Sequence, residues 1–135
     1  MNKKIVGIGC LIIILIIVFT ASSDSGLDES VISQTIFIDA VYEPENNIVR
    51  IEFVDSSEMT KLVTLEILGM EKTFHKELLQ QSFVETVQIS SIPQYGWATM
   101  PVIFTLDHEE FGKISLKTEI HQSDEMKPRV IYSKI

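Results

Sequence analysis

The feature that most constrains this chain is an uncharged run of 19 residues, Ile5 to Ser23, close to its start. Twelve of the first seventeen residues in the run are Ile, Leu, Val or Phe, a composition that favours insertion into a bilayer by about 4–7 kcal/mol. As a helix the run is about 28 Å long, close to the hydrocarbon thickness of about 30 Å. The run therefore predicts a transmembrane signal-anchor helix over residues 5–23, held by membrane lipid.

The charges on either side of the run predict its orientation. Lys3 and Lys4 lie in a basic flank over residues 1–4, whereas acidic residues begin at Asp24. The positive end of a single-pass helix is expected to stay in the cytoplasm. Residues 24–135 should therefore lie outside the cell membrane.

Two alternatives to a retained anchor stay open. The small residues Thr20-Ala21-Ser22 permit signal-peptide cleavage after Ser22, which would make the protein secreted. Pilin-like precursors also carry a short basic leader, an apolar helix and a β-rich head, and processing before Ile5 would indicate that route. Cys10 is not expected to be lipidated, because the apolar run follows it instead of preceding it.

The charge of residues 24–135 and the cysteine content of the whole chain exclude several classes of function. This part has nine basic and 19 acidic residues, a net charge of −10. Such a surface repels nucleic-acid phosphates and anionic lipid heads, so no nucleic-acid partner is predicted. The single cysteine excludes an internal disulfide framework and any multi-cysteine metal site.

After a flexible polar linker over residues 24–32, short runs of alternating apolar and polar residues begin. This alternation is typical of antiparallel strands with one buried and one solvent-facing side. Turn-forming residues separate seven or eight such runs. A short helix over Phe74–Phe83 is an alternative to the strands predicted there. The alternation places His121 on a solvent-facing side. The strands are predicted at Thr35–Tyr42, Ile48–Val54, Lys61–Leu68, Lys72–Leu78, Phe83–Ser90, Met100–Leu106, Lys113–His121 and Val130–Ser133.

The spacing of the strands predicts an all-β fold, an antiparallel immunoglobulin-like β-sandwich over residues 33–135. Its layout resembles the immunoglobulin-like or fibronectin-type-III-like modules that one N-terminal helix holds outside archaeal and bacterial membranes. The segment Ile92–Trp97 comes closest to a signature, since an aromatic residue at such a crossing packs back on the core in similar sandwiches. The inter-sheet cysteine pair of antibody domains is absent, which excludes that subfamily.

Four residues are candidates for binding a partner. Tyr95 and Trp97 flank Gly96 and would offer an aromatic platform for a sugar or a protein. The favoured interpretation of Trp97, however, is a corner plug buried against both sheets. Lys127 and Arg129 form a basic segment in an acidic domain. They favour strand addition or contact with an acidic neighbour, although an ordinary edge strand explains them as well.

The sequence predicts no metal, no cofactor and no enzymatic activity. The histidines His75, His108 and His121 lack a spacing that places two ligands on one face, although a copper site that also used methionines stays open. Those methionines are Met59, Met70, Met100 and Met126. The acidic loop of Asp107, Glu109 and Glu110 lacks the spacing of a calcium loop and is expected to be a solvated hairpin tip. Catalytic motifs and phosphate-binding glycine loops are also absent.

These observations predict a non-enzymatic, membrane-anchored, extracytoplasmic module that binds a protein at the cell surface or serves as an accessory subunit of a complex. A small-molecule ligand is not predicted. The alternatives are an extracytoplasmic copper carrier and a component of a surface filament. In outline, the latter is similar to the archaeal motility-filament accessory proteins that pair a membrane helix with an immunoglobulin-like domain.

Overall fold

The alternating runs fold into short strands separated by polar turns, and the computed structural model describes residues 27–135. The predicted transmembrane segment lies outside these residues. Among the described residues, no helix has the length and apolarity needed to cross a bilayer. The elements are α1 (Glu29–Thr35), β1 (Ile36–Glu43), β2 (Ile48–Asp55), β3 (Thr60–Ile67), β4 (Phe74–Leu78), β5 (Ser82–Gln88), a 3-10 turn (Trp97–Thr99), β6 (Val102–His108), β7 (Gly112–Thr118), β8 (His121–Gln122) and β9 (Ile131–Lys134).

The strands form two sheets, in the orders β5-β2-β1-β8 and β4-β3-β6-β7-β9. All neighbouring strands are antiparallel except β1 and β8, which run parallel over two residue pairs. The fold is therefore all-β, as the alternation predicts, with a short parallel pairing that the sequence does not reveal.

The inward-facing side chains of both sheets form one hydrophobic core. Phe53 of β2 and Phe104 of β6 are fully buried, and their rings stack at a centroid distance of 6.0 Å. Phe83 of β5 stacks on the other side of Phe53, at 5.2 Å. Burying a side chain of this size stabilises a fold by about 1.5–3 kcal/mol. The two sheets therefore pack face to face through large apolar side chains.

The flexible linker predicted over residues 24–32 ends earlier than expected, because α1 begins at Glu29. Asp28 caps the helix, since its carboxylate accepts a hydrogen bond from the Val31 N–H at 3.3 Å. Ile32 is buried against the sandwich. The buried Ile32 and the Asp28 cap therefore stabilise a helix in a segment whose polar composition predicts a flexible linker.

The Phe74–Phe83 region forms strand β4, a turn and the start of β5, so the predicted strands are confirmed over the short-helix alternative, because this segment pairs with β3. A later segment differs from the prediction. The strand predicted over Lys113–His121 ends at Thr118, and the chain then crosses to the first sheet. The outward orientation predicted for His121 is wrong, since this residue is buried in β8.

The strand pairing divides the sandwich into two ends. The helix end contains α1, the β2–β3 loop (residues 56–59) and the β6–β7 loop (residues 109–111). The far end contains the β1–β2 turn (residues 44–47), the β3–β4 loop (residues 68–73) and the crossover from β5 to β6 (residues 89–101). The eight residues of β1 separate these ends by about 25 Å.

Candidate functional site

An open cleft of about 970 Å³ lies at the far end. Its walls come from the β3–β4 loop and the crossover, and the β1–β2 turn adds one residue. Many of the lining side chains carry an uncharged amide or hydroxyl group: Asn47, Gln88, Ser90, Ser91, Gln94 and Thr99. Glu71 and Lys72 add one charge of each sign. Met70, Ile89, Pro93 and Met100 add apolar surface, so the cleft has a mixed lining with no net charge, although the chain carries a charge of −8.

A glycine allows the two walls of the cleft to approach each other. Gly69 has a φ of +82°, and a Cβ at this position would lie 2.0 Å from the carbonyl oxygen of Thr99. The neighbouring Leu68 N–H donates to the Pro101 carbonyl at 3.1 Å. Only glycine fits this backbone conformation and this contact without strain. The β3–β4 loop is therefore held directly against the crossover.

The two aromatic candidates lie in different surroundings. Tyr95 lines the cleft and is 82% exposed. Trp97 is half-buried against the core, where its ring lies 5.1 Å from the ring of Tyr42. The Tyr42 hydroxyl in turn donates to Asn47 Oδ1 at 3.0 Å. Trp97 thus acts as the corner plug, and Tyr95 alone of the pair offers an open ring to a ligand.

The two basic candidates do not line the cleft. Lys127 and Arg129 lie between β8 and β9, and both are exposed. The Lys127 ammonium lies 4.1 Å from the centre of the Phe37 ring on β1, a cation–π contact that contributes about 0.5–1 kcal/mol at an exposed site. Lys127 therefore covers an apolar side chain of its own domain. The structure does not bring the four predicted binding residues together.

The three histidines lie in separate places, each beside its own carboxylate. His75 Nδ1 is 3.5 Å from Glu66 on the second sheet. His121 Nε2 is 2.7 Å from Asp39 Oδ1, and its other ring nitrogen lies 2.7 Å from a backbone carbonyl. His108 is buried in a third position. Within residues 27–135, no group of three or more His, Cys, Asp or Glu side chains is arranged to hold a metal ion.

Two of the four candidate methionines lie in the cleft, and the acidic loop follows β6. Met70 and Met100 line the cleft together, but none of the histidines lines it with them. Glu109 and Glu110 are exposed in the β6–β7 loop, and Gly112 after them has a positive φ of +73°.

A buried polar cluster, which the sequence analysis missed, connects the two sheets at the helix end. The Asp55 carboxylate accepts five hydrogen bonds from the β2–β3 loop and the start of β3. The donors are Ser57 N (2.9 Å), Ser57 Oγ (2.6 Å), Met59 N (3.1 Å), Thr60 N (2.9 Å) and Thr60 Oγ1 (2.6 Å). Burial raises the pKa of Asp55, but the hydrogen bonds from Ser57 and Thr60 outweigh this effect and lower the pKa below its usual value.

Ser57, His108 and Asp55 have the residue types of a hydrolytic triad but not its geometry. His108 Nδ1 accepts hydrogen bonds from the Glu110 and Phe111 N–H groups at 3.1 Å each. The ring proton inferred from these bonds is on Nε2, 3.1 Å from Ser57 Oγ and 3.3 Å from Asp55 Oδ2. In a triad, the imidazole accepts the serine proton and the aspartate binds the opposite nitrogen. Here the ring donates to both partners from one nitrogen, so the cluster is structural.

Sequence patterns gave no signal for most of the cleft. Asn47, Gln88 and Gln94 are isolated polar residues in turns or at a strand end, and such residues are usually solvated. Asp55 is a single acidic residue at the end of a strand, a pattern typical of a turn. Comparison with family models, with curated proteins and with solved structures finds no match.

Proposed function

We propose that this protein is a membrane-anchored, extracytoplasmic immunoglobulin-like module that presents a binding cleft away from the bilayer. The observation that carries the proposal is the arrangement of the ends. The described chain begins at the helix end, at Leu27, and the cleft lies at the far end. A helix over residues 5–23 would hold the helix end near the membrane, with the cleft about 25 Å further out.

The order of the strands supports the immunoglobulin-like assignment. The neighbours β1-β2-β5 in one sheet and β3-β6-β7 in the other match the A-B-E and C-F-G orders of such sandwiches, and β4 takes the C′ position beside β3. The crossover from β5 to β6 corresponds to the E–F corner, where an aromatic residue packs on the core in this fold. Trp97 provides that contact here.

The proposed membrane anchor also supports a role for the domain in binding and not in catalysis. A domain confined within a few nanometres of the bilayer meets neighbouring partners at a high effective concentration, so even weak contacts become occupied. A solvent-exposed cleft that faces away from the lipid serves this purpose. The Ser57–His108–Asp55 cluster, in which Asp55 and His108 are buried, supplies no reactive nucleophile, because its serine already donates to the carboxylate.

Fluorescence quenching in lipid nanodiscs tests this orientation. Cys10→Ser removes the native thiol, and a fluorophore is attached to the full-length protein at Tyr95→Cys or at Glu110→Cys. Glu110 lies beside Leu27 in a hollow at the helix end. Nitroxide-labelled lipid head groups should quench the fluorophore at position 110 more strongly than at position 95. Equal quenching, or stronger quenching at position 95, would contradict the proposal.

A further inference from the structure

The geometry points to an uncharged oligosaccharide as the ligand of the far-end cleft. This inference rests on the proposed function, because it takes the far end as the binding end. The cleft combines one exposed aromatic ring, that of Tyr95, with amide and hydroxyl side chains from the same crossover, from the end of β5 and from the β1–β2 turn. Sugars present the matching chemistry, since their C–H faces stack on aromatic rings and their hydroxyl groups both donate and accept hydrogen bonds.

The charge of the lining decides against an ionic ligand. Glu71 and Lys72 contribute opposite charges, and the other lining side chains are neutral. A phosphate or carboxylate ligand is favoured by an excess of cationic side chains, and a cationic ligand by an acidic excess. The lining has neither excess, although acidic side chains are abundant elsewhere in the chain.

The amide groups are suited to hydroxyl recognition. Asn47 has its Oδ1 occupied by the Tyr42 hydroxyl at 3.0 Å, which orients the amide and leaves its NH₂ group as the donor. Gln88 and Gln94 each add one carbonyl acceptor and one NH₂ donor to the cleft. A pyranose ring with adjacent hydroxyl groups pairs with such side chains without any net charge.

The size and openness of the cleft favour more than one sugar unit. Ligand sites in proteins measure about 300–1,000 Å³, and the volume of about 970 Å³ lies in the upper part of this range. A proline-rich peptide is the strongest rival, because its grooves are also lined with aromatic rings. Such grooves use several rings, whereas Tyr95 is the one aromatic side chain that lines this cleft.

The cleft is suited to binding and not to cleavage of the sugar. Glycoside hydrolysis in most enzymes needs two carboxyl groups on opposite sides of the bond. Among the residues lining the cleft, Glu71 is the one acidic side chain. A bound oligosaccharide should therefore be recovered intact.

Calorimetric titration of the full-length protein in lipid nanodiscs tests the inference. Nanodiscs avoid glycoside detergents, whose sugar heads would compete for the cleft. The probes are linear trisaccharides of glucose, of mannose and of N-acetylglucosamine, and a proline decamer. At least one trisaccharide should bind with a dissociation constant below about 1 mM, and the decamer should not bind.

Matched variants locate the binding. Tyr95→Ala should weaken trisaccharide binding about ten-fold, and Gln94→Ala about five-fold, because each removes one contact with the sugar. Leu79→Ala is the control, since Leu79 is 78% exposed but lies in the β4–β5 turn, away from the cleft. Its affinity should be unchanged.

Three outcomes would overturn the inference: no trisaccharide binding at about 10 mM, binding that Tyr95→Ala leaves unchanged, or binding of the proline decamer alone. None of them depends on the nanodisc quenching result. If quenching shows the expected orientation and no sugar binds, the ligand class is wrong and the proposed orientation stands. If a sugar binds but position 95 lies at the lipid, the orientation fails by itself.

Discussion

The two ends of the sandwich are built differently. At the helix end, Asp55 and His108 are each only 2% exposed, and their hydrogen bonds connect the two sheets. At the far end, Tyr95 is 82% exposed and the loops surround an open cleft. The same pair of sheets therefore ends in a closed polar cluster on one side and in an accessible surface on the other.

This difference indicates that stability and recognition are separated along the strands. A buried carboxylate with five donors is costly to disturb, because every donor loses its partner at once. An exposed tyrosine on a loop has little effect on folding and is free to contact a ligand. Substitutions at the helix end should therefore change stability, whereas substitutions on the cleft surface should change binding.

The largest expected effect comes from Asp55→Ala. The change leaves the buried donors of Ser57, Thr60 and His108 without their acceptor, at a cost of about 3–5 kcal/mol in the free energy of unfolding. Urea unfolding of the full-length protein in micelles, followed by circular dichroism, measures it. Asp124→Ala, at an exposed turn, is the matched control and should cost less than about 0.5 kcal/mol. Equal losses for the two variants would show that the Asp55 cluster does not stabilise the helix end.

A smaller loss is expected from Gly69→Ala, about 2–4 kcal/mol. The positive φ disfavours alanine, and the new Cβ would overlap the Thr99 carbonyl, so the loop must shift. Gly112→Ala separates the two causes, since Gly112 also has a positive φ but has open space around it. That control should lose only about 1–2 kcal/mol. If the two variants are equally stable, the contact between the β3–β4 loop and the crossover has no energetic role.

Tyr95 and Trp97 lie two positions apart at the far end, and their substitution compares an exposed aromatic side chain with a half-buried one. Trp97→Ala should cost about 1–2 kcal/mol, since the side chain is half-buried against Tyr42 and the core. Tyr95→Ala should change the free energy of unfolding by less than about 0.5 kcal/mol. The same urea titrations measure both. A larger loss for Tyr95→Ala than for Trp97→Ala would reverse the roles assigned to these two residues.

Acid should act on the helix end through Asp55. The pKa of this carboxyl is lowered in the folded protein, so the ionised form stabilises the fold above the unfolded pKa of about 3.9. That contribution is lost as the pH falls through the lower folded pKa. Melting temperatures between pH 7 and pH 3 should fall more steeply for the natural protein than for Asp55→Asn. Parallel pH profiles would contradict this role of Asp55.

Much of the fold follows from local alternation in the sequence. In β2, for example, Val49, Ile51 and Phe53 alternate with polar residues, and these three side chains are fully buried. Period-two patterns report which face of a strand is buried, and the residues of the Glu43–Asn47 turn mark where the chain reverses. The strands were therefore predictable to within a few residues.

The polar contacts were not predictable, because they depend on pairing between distant segments. His121 was expected to face solvent, and the acidic residues next to His108 were expected to form a solvated hairpin tip. Each of these histidines is instead buried beside an aspartate more than fifty residues earlier in the chain. The cleft likewise combines a turn, a loop and a crossover that no sequence period links. Of the four predicted binding residues, only Tyr95 lines it.

Labelling of intact cells tests the central proposal, an outward-facing anchored domain, most directly. In a Cys10→Ser background, Tyr95→Cys places one thiol at the rim of the cleft, and cells or spheroplasts that produce the protein are treated with a membrane-impermeant maleimide. The account predicts that the membrane-bound protein is labelled at the same level before and after lysis. Labelling that requires lysis, or labelled protein in the cytosolic fraction, would contradict it.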